Sequence, residues 1–214
     1  MDTVKVVSFD AEGTLVTPYF TQAIWHEEIP ALYAKNKGIS FEQAKDFVRQ
    51  EYDLIGEQRM EWYDIKFWFG RFGLSNYRQL LHSQKHRISI YPEVEEVLLA
   101  LSQTYELIVV SNSSTEFLDV LLEGIRDHFT RIFSSISDYE GLKTADFYLN
   151  ICQAMEVEPE EMAHVGDLWN PDLVIPRKVG IKTFYLDRNE GRQGSEIVRD
   201  LTHFQRKLLD HSAR

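Results

Sequence analysis

The chain has one cysteine, Cys152, in 214 residues. An intramolecular disulfide is therefore impossible, which fits a reducing compartment. Cys152 ends the stretch Leu149-Asn150-Ile151-Cys152, which reads as a small buried hydrophobe rather than a catalytic thiol. Long apolar runs are missing too. No window approaches the roughly 20 apolar residues of a membrane-spanning helix. The first apolar run, Val4-Lys5-Val6-Val7-Ser8-Phe9, is too short for a secretory signal. A soluble, cytoplasmic protein without a membrane partner is expected. Positive charge is scarce, with 23 Lys and Arg against 34 Asp and Glu, a formal net charge of −11. That field repels polyanions, so nucleic acid is not expected as a partner. A small anionic substrate stays open, because a local site can oppose the overall field. Low-complexity tracts and internal repeats are absent.

What is present is enough apolar and aromatic residue for one good core, with room for a smaller appended unit. Five short apolar runs read as strands: Val4 to Phe9, Leu107 to Val110, Arg131 to Phe133, Met162 to Val165 and Ile181 to Tyr185. Helical patterns lie between them. Val94, Val97, Leu98 and Leu101 recur at helical spacing after Pro92. Phe117, Leu118, Leu121, Leu122 and Ile125 form a second face, and Phe147, Ile151 and Ala154 a third. Leu173, Val174 and Arg177 to Val179 suggest a fourth, stopped by Gly180. Ile197, Leu201, Phe204, Leu208 and Leu209 predict a closing helix. Strands alternating with helices predict an α/β fold: a mostly parallel five-stranded sheet covered on both faces. Thr17 to about Arg87 breaks the rhythm. It has helical periodicity, many aromatics and no convincing strand, with Gly38, Gly56 and Gly73 as punctuation. It reads as an all-helical insert.

Parallel sheets bind ligands beyond the carboxyl ends of their strands. After the first strand come Asp10, Glu12, Gly13 and Thr14; after the second, Ser111, Asn112, Ser113 and Ser114. Lys143 follows the third after a loop, and Asp167 and Asp172 follow the fourth. Taken singly, each has a plain explanation as a turn, a helix cap or a solvated charge. Four strand-end groups with matching chemistry, in one order, are hard to obtain from caps alone.

The residues FDAEGTL at 9–15, VVSNSS at 109–114, Lys143 and HVGDLWNPD at 164–172 resemble the haloacid dehalogenase superfamily of hydrolases. Tyr91-Pro92-Glu93-Val94 resembles it as well. The resemblance implies a three-layer Rossmann-like core from residues 1–16 and 88–214, with 17–87 as a helical cap. It implies a phosphatase acting on a small phosphorylated metabolite. Asp10 would be the nucleophile that forms an aspartyl-phosphate. Mg2+ would be held by Asp10, the Glu12 carbonyl, Asp167 and, directly or through water, Asp172. Ser111, Asn112 and neighbouring backbone N–H groups would hold phosphoryl oxygens, with Lys143 offsetting the charge. The chain departs from the family at Thr144, where proline often stands.

Glu12 is the more telling departure. Most phosphatases of the superfamily carry aspartate two residues after the nucleophile; dehalogenases carry an aromatic and phosphonatases a small residue. Enolase-phosphatases resemble this chain in their Asp-x-Glu-Gly-Thr arrangement. A carboxylate is retained here, so Glu12 is expected to act as general acid and base. Dehalogenase chemistry needs no metal, yet Asp167 and Asp172 are present. A sugar-phosphate mutase, or a binding module on the same fold, remains an alternative.

In the insert, Trp62, Ile65, Phe69 and Phe72 follow a helical stripe and are expected in the core. Tyr63, Phe67 or Trp68, off that stripe, are candidates to face the cleft. Lys85-His86-Arg87 reads as a solvated face or hinge, with a second anion contact as the sharper reading. His26, His82 and His203 lack metal-site spacing. Monomer and homodimer both remain open.

Overall fold

The computed structural model describes residues 4–212, with side chains for 4–209. The outermost residues of the expected core, 1–3 and 213–214, lie outside the described residues. Six parallel strands form one sheet: β1 (Val6–Phe9), β2 (Glu106–Ser111), β3 (Arg131–Ser134), β4 (Met162–Gly166), β5 (Lys182–Leu186) and β6 (Ile197–Val198), in the order β3-β2-β1-β4-β5-β6. The five expected strands are found, and the sixth corrects the count. β6 pairs Ile197 and Val198 with Tyr185 and Leu186. Ile197 therefore belongs to a strand, not to the closing helix, which runs Leu201–Ser212. Two residues are too few for any periodicity to register in the sequence.

β-branched and apolar residues alternate across the pleat, so each face of the sheet carries its own core. Val7, Phe9, Leu107, Val109, Ala163 and Val165 face one side. Val6, Ile108, Val110 and Met162 face the other. On the first side, Phe204 of the closing helix meets Phe9 and Phe184 edge-on at 5.9 and 5.1 Å. Each fully buried side chain of this kind contributes about 1.5–3 kcal/mol. The second side is covered by the helix Ala145–Ala154, through Phe147, Tyr148 and Ile151. Thr144 caps that helix, its hydroxyl accepting from the Phe147 N–H at 3.2 Å. The residue that departs from the family's proline thus has a structural duty of its own.

Between β1 and the helix Val94–Leu101, the regular elements of the described chain are helices, with isolated bridges Glu12–Val16 and Val16–Ile90 at its two ends. The helices include Tyr19–Ala23, a π-helical turn Ile24–Glu28, Ile29–Lys37, Phe41–Ile55, Ile65–Phe72 and Tyr77–Gln84. Gly38, Gly56 and Gly73 each follow a helix end. Ser40 and Gln43 form a reciprocal capping box at the start of Phe41–Ile55. Tyr52, Trp68 and Phe72 pack as an aromatic core, Tyr52 and Trp68 being 4.6 Å apart edge-on. The outgoing and returning chains run side by side, Thr17 N–H donating to the Ser89 carbonyl at 2.8 Å. Phe20 and Trp25 pack on Phe117 of the helix Thr115–Leu121. The helical segment therefore leans over the carboxyl ends of the strands.

Candidate active site

Parallel register brings the ends of β1, β2 and β4 level, Phe9 pairing with Val109 and with Val165. Whatever follows those strands must therefore meet. Asp10, Glu12, Ser111, Asn112, Lys143 and Asp167 line one cavity of about 560 Å3. Asp172 lies beneath it, fully buried. Asp10, Asp167 and Asp172 each bring a carboxylate oxygen within 4.8 Å of the others.

Two glycines permit that approach. A Cβ on Gly13, whose φ is +75°, would sit 2.1 Å from Asp167 Oδ2. A Cβ on Gly166 would sit 2.4 Å from Asp172 Cγ. Any side chain at either position would push a carboxylate out of the cluster.

Lys143 is the cationic centre, 3 % exposed. Its ammonium donates to Asp10 Oδ1 at 2.5 Å and to Asp172 Oδ1 at 2.8 Å. Asn112 holds the lysine loop, its Oδ1 accepting from Lys143 N–H at 3.0 Å and from the Ser135 hydroxyl at 2.8 Å. Ser111 Oγ accepts from Ser113 N–H at 3.2 Å. Asp172 is fixed at both oxygens: Oδ2 accepts from Leu168 N–H at 2.9 Å, and Oδ1 also lies 3.3 Å from His164 Nε2. His164 in turn contacts the Ser8 hydroxyl at 2.9 Å and the Tyr148 hydroxyl at 3.2 Å.

The electrostatics follow from burying four acids around one lysine. Burial pushes Asp10 up to about 6, against the pull of Lys143. It pushes Glu12 up to about 7, opposed by the Thr21 hydroxyl. Burial, with the charges of Asp10 and Asp172, pushes Asp167 up to about 8. Burial would raise Asp172 as well, but Lys143 and His164 more than offset it and hold it well below the usual carboxylate range. Burial opposes the charge on Lys143, yet Asp10 and Asp172 hold its pKa well above the ordinary lysine value.

The insert supplies the facing wall. Tyr63 reaches the cavity as one of the three candidates. Its hydroxyl donates to the Glu57 carbonyl at 3.2 Å and feels Asn112, Lys143 and Asp10. Phe67 packs on Trp68, which is fully buried, so neither lines the cleft. Trp62 lines it as well, while still packing on the core as expected, edge-on to Tyr52 at 6.0 Å. It lies in the 3-10 turn Met60–Tyr63, ahead of the helix Ile65–Phe72, so α-helical spacing does not apply to it. Ile65, Phe69 and Phe72 are buried as expected. Lys85 and Arg87 pair with Glu123 and Glu27 at 3.3 and 2.7 Å and do not line the cavity.

Three residues near the site have no sequence motif of their own, Trp25, Tyr148 and Arg188, and His164 opens the stretch at 164–172 without an expected role. His164 left a trace, since it is polar within the apolar run Met162–Val165 and sits in register opposite Ser8. Arg188 left none. It follows β5 and donates to the carbonyls of Gly13 at 3.2 Å and Thr14 at 2.9 Å, bracing the loop that carries Glu12.

A parallel α/β sheet thus delivers acids and one buried lysine to a single cavity at the carboxyl ends of its strands. The family model of haloacid dehalogenase-like hydrolases matches residues 4–180, and the chain belongs to that family. It is 29% identical over 188 residues to a phosphoglycolate phosphatase of Chromobacterium violaceum, covering 83% of this chain and 82% of that one. Among solved structures, a HAD phosphatase from Thermococcus onnurineus superposes with a TM-score of 0.86 at 24% identity, over 96% and 98% of the two chains. The L-2-haloacid dehalogenase of Xanthobacter autotrophicus superposes at 0.62 with 17% identity, over 96% and 98%. At those identities the structural likenesses speak to the fold.

Proposed function

We propose that the protein is a phosphatase, hydrolysing a small phosphate monoester through an aspartyl-phosphate on Asp10. The observation that carries this reading is Asp10 at the end of β1, hydrogen-bonded by Lys143 and lining the same cavity as Glu12. The likeness to a phosphoglycolate phosphatase supports it. In this reading residues 1–16 and 88–214 form the core and 17–87 a cap that excludes water.

The donor set fits a hard divalent cation. Two buried carboxylates and the half-buried Asp167 converge, and Asp167 is hard to ionise unless positive charge joins it. Asp10, Asp167 and the Glu12 carbonyl would hold Mg2+, with Asp172, already bonded at both oxygens, supporting it through water. Bound there, the ion supplies charge neutralisation for the phosphoryl group.

The remaining steps belong to the chain. An Asp10 carboxylate oxygen attacks phosphorus as the bond to the leaving oxygen breaks, and protonated Glu12 gives that oxygen its proton. Glu12 then removes a proton from water, whose oxygen attacks phosphorus and breaks the bond to Asp10. Inorganic phosphate leaves, and both carboxyl groups return to their starting states. Lys143 keeps Asp10 ionised beside an anion, while Ser111, the Asn112 amide and the adjoining backbone N–H groups orient the phosphoryl oxygens.

The test is hydrolysis of p-nitrophenyl phosphate with magnesium. Turnover should be present in the native protein and lost in Asp10→Asn. Inorganic phosphate should appear without a transferred phosphoryl product, which separates a hydrolase from a mutase. Activity that survives Asp10→Asn would end this reading.

A further inference from the structure

The cavity is large, and half of the residues that line it from the helical segment are tryptophan or tyrosine. Trp25, Tyr52, Trp62 and Tyr63 line it from the helical segment, and Tyr91 and Tyr185 from elsewhere. Its volume of about 560 Å3 exceeds what a phosphate with a two-carbon tail fills. Among the described residues that line it, lysine and arginine are represented by Lys143 and Arg188. Both are already engaged. Lys143 bonds Asp10 and Asp172. Arg188 bonds the Gly13 and Thr14 carbonyls, pairs with Glu93 at 2.8 Å, and stacks over the Tyr91 ring at 3.5 Å. The helical wall offers one ionisable nitrogen side chain, His26, and also carries Glu57, whose charge is felt by Tyr63.

A second anionic group on the substrate would therefore enter this cavity without a free cation to meet it. Burying a carboxylate in that way is unfavourable. A ring gains from the same surroundings, because it replaces water against aromatic faces. We propose that the cavity prefers phosphate monoesters whose alcohol part is an uncharged, ring-bearing group over short phosphorylated carboxylic acids. This deepens the phosphatase reading and rests on it for the phosphoryl end of the site. Trp62 is the specificity residue, and Glu57 the group that repels the acid.

Binding of two non-hydrolysable phosphonates separates the cavity's preference from catalysis. Benzylphosphonate and phosphonoacetate are titrated into the full chain with magnesium chloride, followed by tryptophan fluorescence. Benzylphosphonate should bind about tenfold tighter or more, the scale on which an apolar pocket discriminates. Trp62→Ala should shrink that ratio to within about threefold, with Trp25 still reporting. Glu57→Lys, at an exposed position, should tighten phosphonoacetate severalfold. Equal or tighter binding of phosphonoacetate by the native protein overturns the proposal. So does failure of both ligands to bind, or a ratio unmoved by Trp62→Ala and Glu57→Lys. Benzyl phosphate and phosphoglycolate are then compared as substrates. A benzyl preference in binding with no hydrolysis of either ester leaves the cavity assignment standing and ends the phosphatase reading alone.

Discussion

Glu12 and Asp10 are two residues apart and share one cavity, yet their surroundings differ. Asp10 is bonded by Lys143; burial pushes Glu12 up to about 7, and Thr21, not a lysine, opposes it. A carboxyl group near neutrality can both give and take a proton, whereas the ammonium beside Asp10 favours its ionised form against burial, which pushes it up to about 6. Replacing Glu12 by Gln keeps the shape and removes the proton. Steady-state turnover of a phosphate ester should fall by about 10²–10⁴-fold; a loss under threefold would remove Glu12 from the mechanism. At Cys152, by contrast, burial makes the group inert. Its thiol is 3 % exposed and pushed up from 9.0 to about 11. That rise alone lowers the thiolate fraction at pH 8 by roughly a hundredfold. Iodoacetamide labelling at pH 8 should therefore be slow in the folded protein and fast in urea; rapid labelling of the native chain would contradict the burial.

Elements set what residues cannot. β4 ends in Gly166, and the turn beyond it folds Asp172 back against that glycine. Gly166→Ala would place a methyl in the space of the Asp172 side chain, which cannot relax because both oxygens are bonded. Urea unfolding should show a loss of about 1–3 kcal/mol, the usual cost of overpacking. An unchanged midpoint would mean that the acid cluster yields easily. Element identity was largely legible in the chain. Runs such as Leu107 to Val110 announced strands through apolar β-branched content, and the glycines of the insert announced helix ends. The cavity-facing side of Trp62 was not legible, because one 3-10 turn shifts a side chain off the stripe that α-helical spacing predicts. β6 escaped because its two residues gain their strand geometry only by pairing with β5.

For the whole molecule, the balance of charge is the governing fact. Among the described residues, Lys143 is the buried lysine that faces Asp10, Glu12, Asp167 and Asp172, so the folded state is held short of positive charge at its centre. A cation that binds only the folded chain stabilises it by mass action, about 2.7 kcal/mol at a hundred times its dissociation constant. Magnesium chloride should therefore raise the thermal unfolding midpoint, and calcium-free EDTA buffer should lower it. Asp167→Asn should remove most of the magnesium-dependent increment. An increment of the same size in that variant would exclude Asp167 from the metal site.

The sequence alone determined the α/β class, the parallel sheet, the helical insert and the strand-end placement of Asp10, Glu12, Ser111, Lys143 and Asp167. These depend on local patterns: alternation, helical spacing, and the rule that parallel strands present their carboxyl ends together. Tertiary structure decided what those residues meet. It put Asp172 beneath the cavity, tied Asn112 to the lysine loop, brought Arg188 across 174 positions to Thr14, and turned Trp62 and Tyr63 toward the acids. Such contacts join residues far apart in the chain, and no local pattern records a distance that exists only after the sheet has closed its two cores.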